Sequence, residues 1–168
     1  YPRNVGCISS RDIYLDINKV KLLPTPDDMP HVKLYRWFIS PIRYRPHSLF
    51  KTYKLGVYIS KSYDIIHGPY IPIKTCYSLP LRGVNMSFKA EAVLSVEFPE
   101  HPCLVKAPGN EQYVGIKLRL DGWHSVYVPN NPVLHILHKS LSRRSKRALQ
   151  QEMMLMKMLF SKILKEYS

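Results

Sequence analysis

What this sequence lacks narrows its chemistry first. Its three cysteines, Cys7, Cys76 and Cys103, are odd in number and far apart, with no C-x-x-C pair. That excludes a disulfide framework and fits a reducing compartment. The seven glycines never fall into G-x-x-x-x-G-K or G-x-G-x-x-G, so no backbone cradle for nucleotide phosphates is expected. G-x-S-x-G is absent, and no order of Ser, His and Asp marks a catalytic triad. Paired carboxylates are scarce: Asp27-Asp28 sits among prolines, and Glu97 and Glu100 flank Phe98-Pro99 at what reads as a strand end. Metal ligands are equally thin. His101 and Cys103 have no second pair, and His135 with His138, i,i+3 on an expected helix, finds no third ligand. Neither enzyme, metal nor cofactor is expected. No apolar run approaches the ~20 residues of a membrane-crossing helix, and the string signatures of the common RNA modules are missing.

The scarcity that points somewhere is negative charge. Against 25 Lys and Arg stand 12 Asp and Glu, a formal net charge of +13 and a pI near 9.7. A small domain usually carries a net charge of roughly 2 to 8, because self-repulsion opposes compaction. A polyanion relieves that repulsion, nucleic acid first and an anionic membrane surface second. The 45% hydrophobic content is that of a folded chain of one domain rather than a disordered one.

The acids are missing in blocks. None occurs between Met29 and Tyr63, a window that holds Lys33, Arg36, Arg43, Arg45, Lys51, Lys54 and Lys61 among Tyr35, Trp37, Phe38, Tyr44, Phe50, Tyr53 and Tyr58. Cations neutralise phosphates and aromatic faces stack on bases, so Lys33, Arg36, Arg43, Tyr44, Arg45, Lys51 and Lys54 are candidate RNA contacts. The competing reading buries Trp37, Phe38, Tyr53 and Tyr58 in a sheet and leaves the lysines to solvent. A second acid-free window, Gly122 to Gln151, contains Lys139, Arg143, Arg144, Lys146 and Arg147, of which Lys139, Arg143, Lys146 and Arg147 fall at spacings that share a helix face. These join the RNA candidates. Beyond Glu152 the chain turns oily, and Met153, Met156, Leu159, Phe160 and Ile163 read as a docking face for a protein partner. The alternative is that this helix is clamped within its own chain.

Fourteen prolines, the last at Pro132, divide the chain into a Pro-laced part and a helical end. Alternation over Ile13-Leu15-Ile17, His31 to Ile39, Thr52 to Ile59 and Ser87 to Phe98 predicts strands. Tyr113 to Val128, with Asp121-Gly122 between alternating runs, predicts a hairpin. Asn131 as N-cap and Pro132 at the first turn predict a helix reaching towards Tyr167, with a break near residues 140–145. The expected fold class is α+β: a mostly antiparallel sheet of about five or six strands with Pro-rich loops and a long C-terminal helix. Three segments are expected: an N-terminal arm and loop (1–30), a β-rich core (31–130) and the helical segment (131–168).

In composition the chain is similar to small structural proteins of ribosomes, mitochondrial ones in particular. That similarity carries over no residue. The expectation is a structural RNA-binding subunit of a ribonucleoprotein particle in the mitochondrial matrix or the cytoplasm, with rRNA and neighbouring proteins as partners. The alternative is a peripheral accessory subunit of a membrane-associated complex that uses its C-terminal amphipathic helix. A start at Tyr1 is expected of a fragment or of a product that has lost an import presequence.

Overall fold

A computed structural model of the chain describes residues 3–69, 71–81, 83, 85–136 and 146–167. The class is mixed α+β, but the strands split into three small sheets. β1 (Val5–Ser9), β6 (Cys76–Tyr77), β7 (Met86–Phe88) and β8 (His124–Tyr127) form a four-stranded sheet in the order β6-β8-β1-β7. β2 (Asp12–Asp16), β3 (Lys21–Leu23) and β9 (Val133–Ile136) form a second in the order β3-β2-β9. β4 (Val57–Ile59) and β5 (Ile65–His67) pair as a hairpin.

The two larger sheets are mixed, not antiparallel. β1 runs parallel to β8 and antiparallel to β7, and β2 runs parallel to β9 and antiparallel to β3. Ser9 faces Tyr127 in one sheet and Asp12 faces Val133 in the next. One parallel ladder therefore continues across a bend at Ser10-Arg11 and 128–132. The N-terminal residues supply an inner strand here rather than an arm. Gly6 is needed in it, since a Cβ there would stand 2.9 Å from Ala92 Cβ and 3.1 Å from Trp123 Cβ.

Several expected strands are helical instead. Residues 113–120 belong to α4 (Asn110–Leu120), which buries Gln112 to Ile116 and Leu118. A helix packed almost all round shows no single stripe, so its apolar residues match period two by coincidence. Asp121-Gly122 ends this helix and makes no hairpin. Gly122 (φ +85°) lets its own N–H reach the Arg119 carbonyl at 3.3 Å and the Trp123 N–H reach Leu118 at 2.9 Å. That is a Schellman cap.

His31 to Ile39 is likewise no strand. α1 (Pro30–Leu34), a π turn (Tyr35–Ile39) and α2 (Ser40–Arg43) follow one another as a single helical stretch. Pro30 sits at the first turn, where its missing N–H costs nothing. Pro41 would break an ordinary helix, and the wide turn before it, with Ser40 N–H on the Tyr35 carbonyl, takes up that change of register. Ser48–Tyr53 forms a tight 3-10 stretch ahead of β4. Of the expected strand from Ser87 only Ser87 and Phe88 pair, as the end of β7, and α3 (Ala90–Val93) follows.

Asn131-Pro132 starts no helix either. Val133–Ile136 pairs in register with Asp12–Leu15, because the open edge of β2 offers a full ladder of backbone partners. His135 is thereby a strand residue, its Nδ1 3.3 Å from Asp12 Oδ2. α5 spans Lys146–Lys165. The expected break at 140–145 lies outside the described residues.

The main core lies between α5, α4 and the β4-β5 hairpin, with Phe50, Tyr53, Ile59, Leu79 and Ile116 fully buried. Met156, Phe160, Ile163 and Leu164 of α5 complete it. Three residues read as partner contacts, Met156, Phe160 and Ile163, are thus spent inside this chain. Leu159 packs half-buried on the same cluster, and only Met153 of that set is exposed.

Candidate functional site

The cationic candidates before residue 55 fall on one continuous piece of chain. Lys33 is exposed on α1, and Arg43 is exposed at the end of α2 with its guanidinium 5.3 Å from the centre of the Tyr44 ring. Arg45, Lys51 and Lys54 are exposed on the turn that follows. Tyr44 is half-buried, and its carbonyl accepts from Tyr58 Oη at 3.0 Å. Arg36 departs from the set: it is half-buried and paired with Asp27. Of the second window, Arg147 is exposed on the first turn of α5. Lys139, Arg143 and Arg144, and the side chain of Lys146, lie outside the described residues.

Reading these residues as a strand hid what the helix carries. Across residues 30–43 only Ser40 is buried. Leu34 is 60% exposed, Trp37 59%, Phe38 62% and Ile42 79%, with Tyr35 and Ile39 also exposed. The signal was present in the spacing: 34, 35, 38, 39 and 42 step by one and three to four, one face of a helix. Lys33 and Arg43 are its exposed charges, and no acid lies on it.

A cleft of about 500 Å³ opens beside this helix, lined by Arg11, Asp28, Lys33, Leu34, Trp37, Pro69 and Ile71. Arg11 and Ile71 also line a smaller cavity of about 30 Å³ behind it, together with Asp12, Asp27, Arg36 and Tyr127. Asp28 anchors the cleft. It accepts from Thr25 N at 3.0 Å and Thr25 Oγ1 at 2.8 Å, and lies 3.5 Å from Arg11 Nη2. Burial alone would raise its carboxyl, but the two Thr25 bonds and the Arg11 and Lys33 charges outweigh that and hold it below the ordinary value. Tyr127 Oη and Arg11 Nε are buried without a hydrogen-bond partner.

Other polar groups are structural. Tyr53 Oη lies 3.2 Å from His124 Nδ1 and accepts from Ser125 N at 3.3 Å, and burial pushes its phenol up to about 12. Among the described residues, no group of three His, Cys, Asp or Glu side chains is placed to hold a metal, and no helix is long and apolar enough to cross a membrane. No family model matches the chain, and no significant match was found among curated proteins or solved structures.

Proposed function

We propose that the chain binds an anionic membrane surface, with the helix of residues 30–43 lying in the interface. The observation that carries this reading is the pairing of exposed Leu34, Phe38, Ile39 and Ile42 with cations alone. Hydrocarbon takes the aliphatic members of that set and head-group phosphates take the cations, whereas contacts to a phosphate backbone leave the aliphatic members unused. Each basic residue near such a surface contributes about 1 kcal/mol, and apolar burial adds about 25 cal/mol per Å². Arg43, Arg45, Lys51 and Lys54 continue the cationic rim. The chain acts by binding, peripheral to the bilayer.

Vesicle sedimentation tests this. The full chain should pellet with vesicles containing phosphatidylserine and much less with phosphatidylcholine alone. Phe38→Asp with Ile42→Asp should remove pelleting, and Arg43→Glu with Arg45→Glu should weaken it and its salt dependence. Indifference of pelleting to all four changes would refute the reading.

One observation favours a second reading. Arg43 over Tyr44, beside Arg45, Lys51 and Lys54, makes the cation-and-aromatic mixture suited to RNA phosphates and bases. On that reading the chain is a structural RNA-binding subunit of a ribonucleoprotein particle such as a mitochondrial ribosome. The basic segment 139–147 would add phosphate contacts, and Met153 would face a neighbouring protein. Steeply salt-dependent retention of rRNA-sized species, lost on Arg43→Glu with Arg45→Glu but untouched by Phe38→Asp, would decide for it.

A further inference from the structure

We infer that the cleft between residues 33–37 and Arg11 is a binding site for a small organic phosphate, a phosphate monoester on a flat or apolar body. Its volume, about 500 Å³, falls in the range of small-molecule sites, roughly 300 to 1,000 Å³. Its composition is also theirs. Leu34, Trp37, Pro69 and Ile71 supply apolar walls, and three charged groups, Arg11, Lys33 and Asp28, converge between them.

The place follows from the fold. Arg11 leaves the C-terminal end of β1, and Tyr127 is the last residue of the parallel neighbour β8. In open parallel sheets ligands settle at the carboxyl ends of strands, where the chains diverge. Here the ladder bends away at that point, and the cleft occupies the angle.

The polar balance selects the ligand. Asp28 is the one acid on the cleft wall, and its Oδ2 already takes two bonds from Thr25 and lies against Arg11. Lys33 is exposed and unmatched by a second acid on that wall. Behind it, Arg11 Nε and Tyr127 Oη have no partner. The 30 Å³ cavity at Tyr127 has room for one water to relay a bond. Asp12 and Asp27 line that inner cavity with Arg36, so the surplus lies on the cleft wall itself, where Arg11 and Lys33 face one acid, and phosphate oxygens match it in both charge and accepting character. Trp37, which lines the cleft, then packs on whatever carries the phosphate, a nucleoside base or the upper part of a lipid.

The site shares Leu34 with the apolar face of that helix, but Phe38, Ile39 and Ile42 do not line it, and binding is read without a membrane. Calorimetric titration of the full chain without vesicles tests it. The probes are adenosine and uridine monophosphate, dihexanoyl phosphatidate below its micellar concentration, adenosine, and inorganic phosphate. Saturable binding to one site is expected for a monophosphate or the phosphatidate, and which of them binds tells the source. Lys33→Glu and Trp37→Ala, both at exposed positions, should each weaken it about tenfold or more, while Ile42→Ser, away from the cleft lining, leaves it unchanged. Three results overturn the proposal: no saturable binding of any probe, binding untouched by both substitutions, or inorganic phosphate or adenosine bound as tightly as the esters.

Discussion

Glu152, on α5, accepts the backbone N–H of Ala107 at 2.9 Å, and the same oxygen takes the N–H groups of Lys106 at 2.8 Å and Val105 at 3.2 Å. The residue is 2% exposed. One buried carboxylate thus holds three consecutive donors of a loop that no sheet or helix satisfies, and Ala107 keeps a positive φ of +41° within it. Glu152→Ala should lower stability by roughly 3 kcal/mol, since hydrogen bonds to charged groups contribute about 1.5–3 kcal/mol and orphaned donors add to the loss. A urea midpoint unchanged from the parent would contradict this.

The cap of α4 makes a cleaner test. Nothing lies within 4 Å of a Cβ built on Gly122, while its φ is +85°. Gly122→Ala therefore meets backbone strain and no clash. The cost should be about 1 kcal/mol, read as a fall in the denaturation midpoint with the circular dichroism spectrum kept.

Stability should decline early on the acid side. Burial, with Lys61 for one and Arg119 for the other, holds His47 and His124 below their ordinary 6.5. The unfolded chain then binds more protons than the folded one as pH falls through 6.5, so the folded state loses ground from that point downward. Asp28, also depressed, extends the loss below its ordinary 3.8. A His47→Asn, His124→Asn double variant should show a flatter midpoint between pH 7 and pH 5. A profile identical to the parent's would count against this assignment.

The thiols should separate by reagent. Burial raises Cys7 to about 12 and Cys76 to about 11, whereas Cys103 is exposed. The thiolate is the reacting form. Iodoacetamide at pH 8 should modify Cys103 first, Cys76 slowly and Cys7 only on unfolding, as followed by peptide mass. Early labelling of Cys7 would mean that β1 frays.

Sequence legibility followed where each segment's partners come from. Ile13 and Leu15 alternate with polar or amphipathic neighbours, and β2 forms there, so that strand is readable from the chain alone even though its two faces are about equally covered. The C-terminal helix is readable too, for Met156, Phe160 and Ile163 repeat at three and four residues. One apolar face of it is absorbed by the core, through contacts with distant Phe50 and Tyr53, while Met153, Met154 and Met158 stay exposed. α4 misleads because it is enclosed, and Val133–Ile136 because a remote strand overrides its local signals. At the candidate interface, composition located the basic stretch 33–54, but its conformation went astray. Trp37 and Phe38 are neither core nor strand residues. The cleft was invisible, because Arg11 and Pro69 meet Lys33 and Trp37 only through the tertiary fold.

The bent parallel ladder has a consequence for how the molecule is made. Val5 finds its partner in His124, and Asp12 in Val133, so β1 and β2 must wait for partners made much later in synthesis. Such remote pairings give a high contact order and slow folding. While they wait, the edges of β1 and β2 stand open, and during synthesis they are the places where a chaperone would be expected to sit.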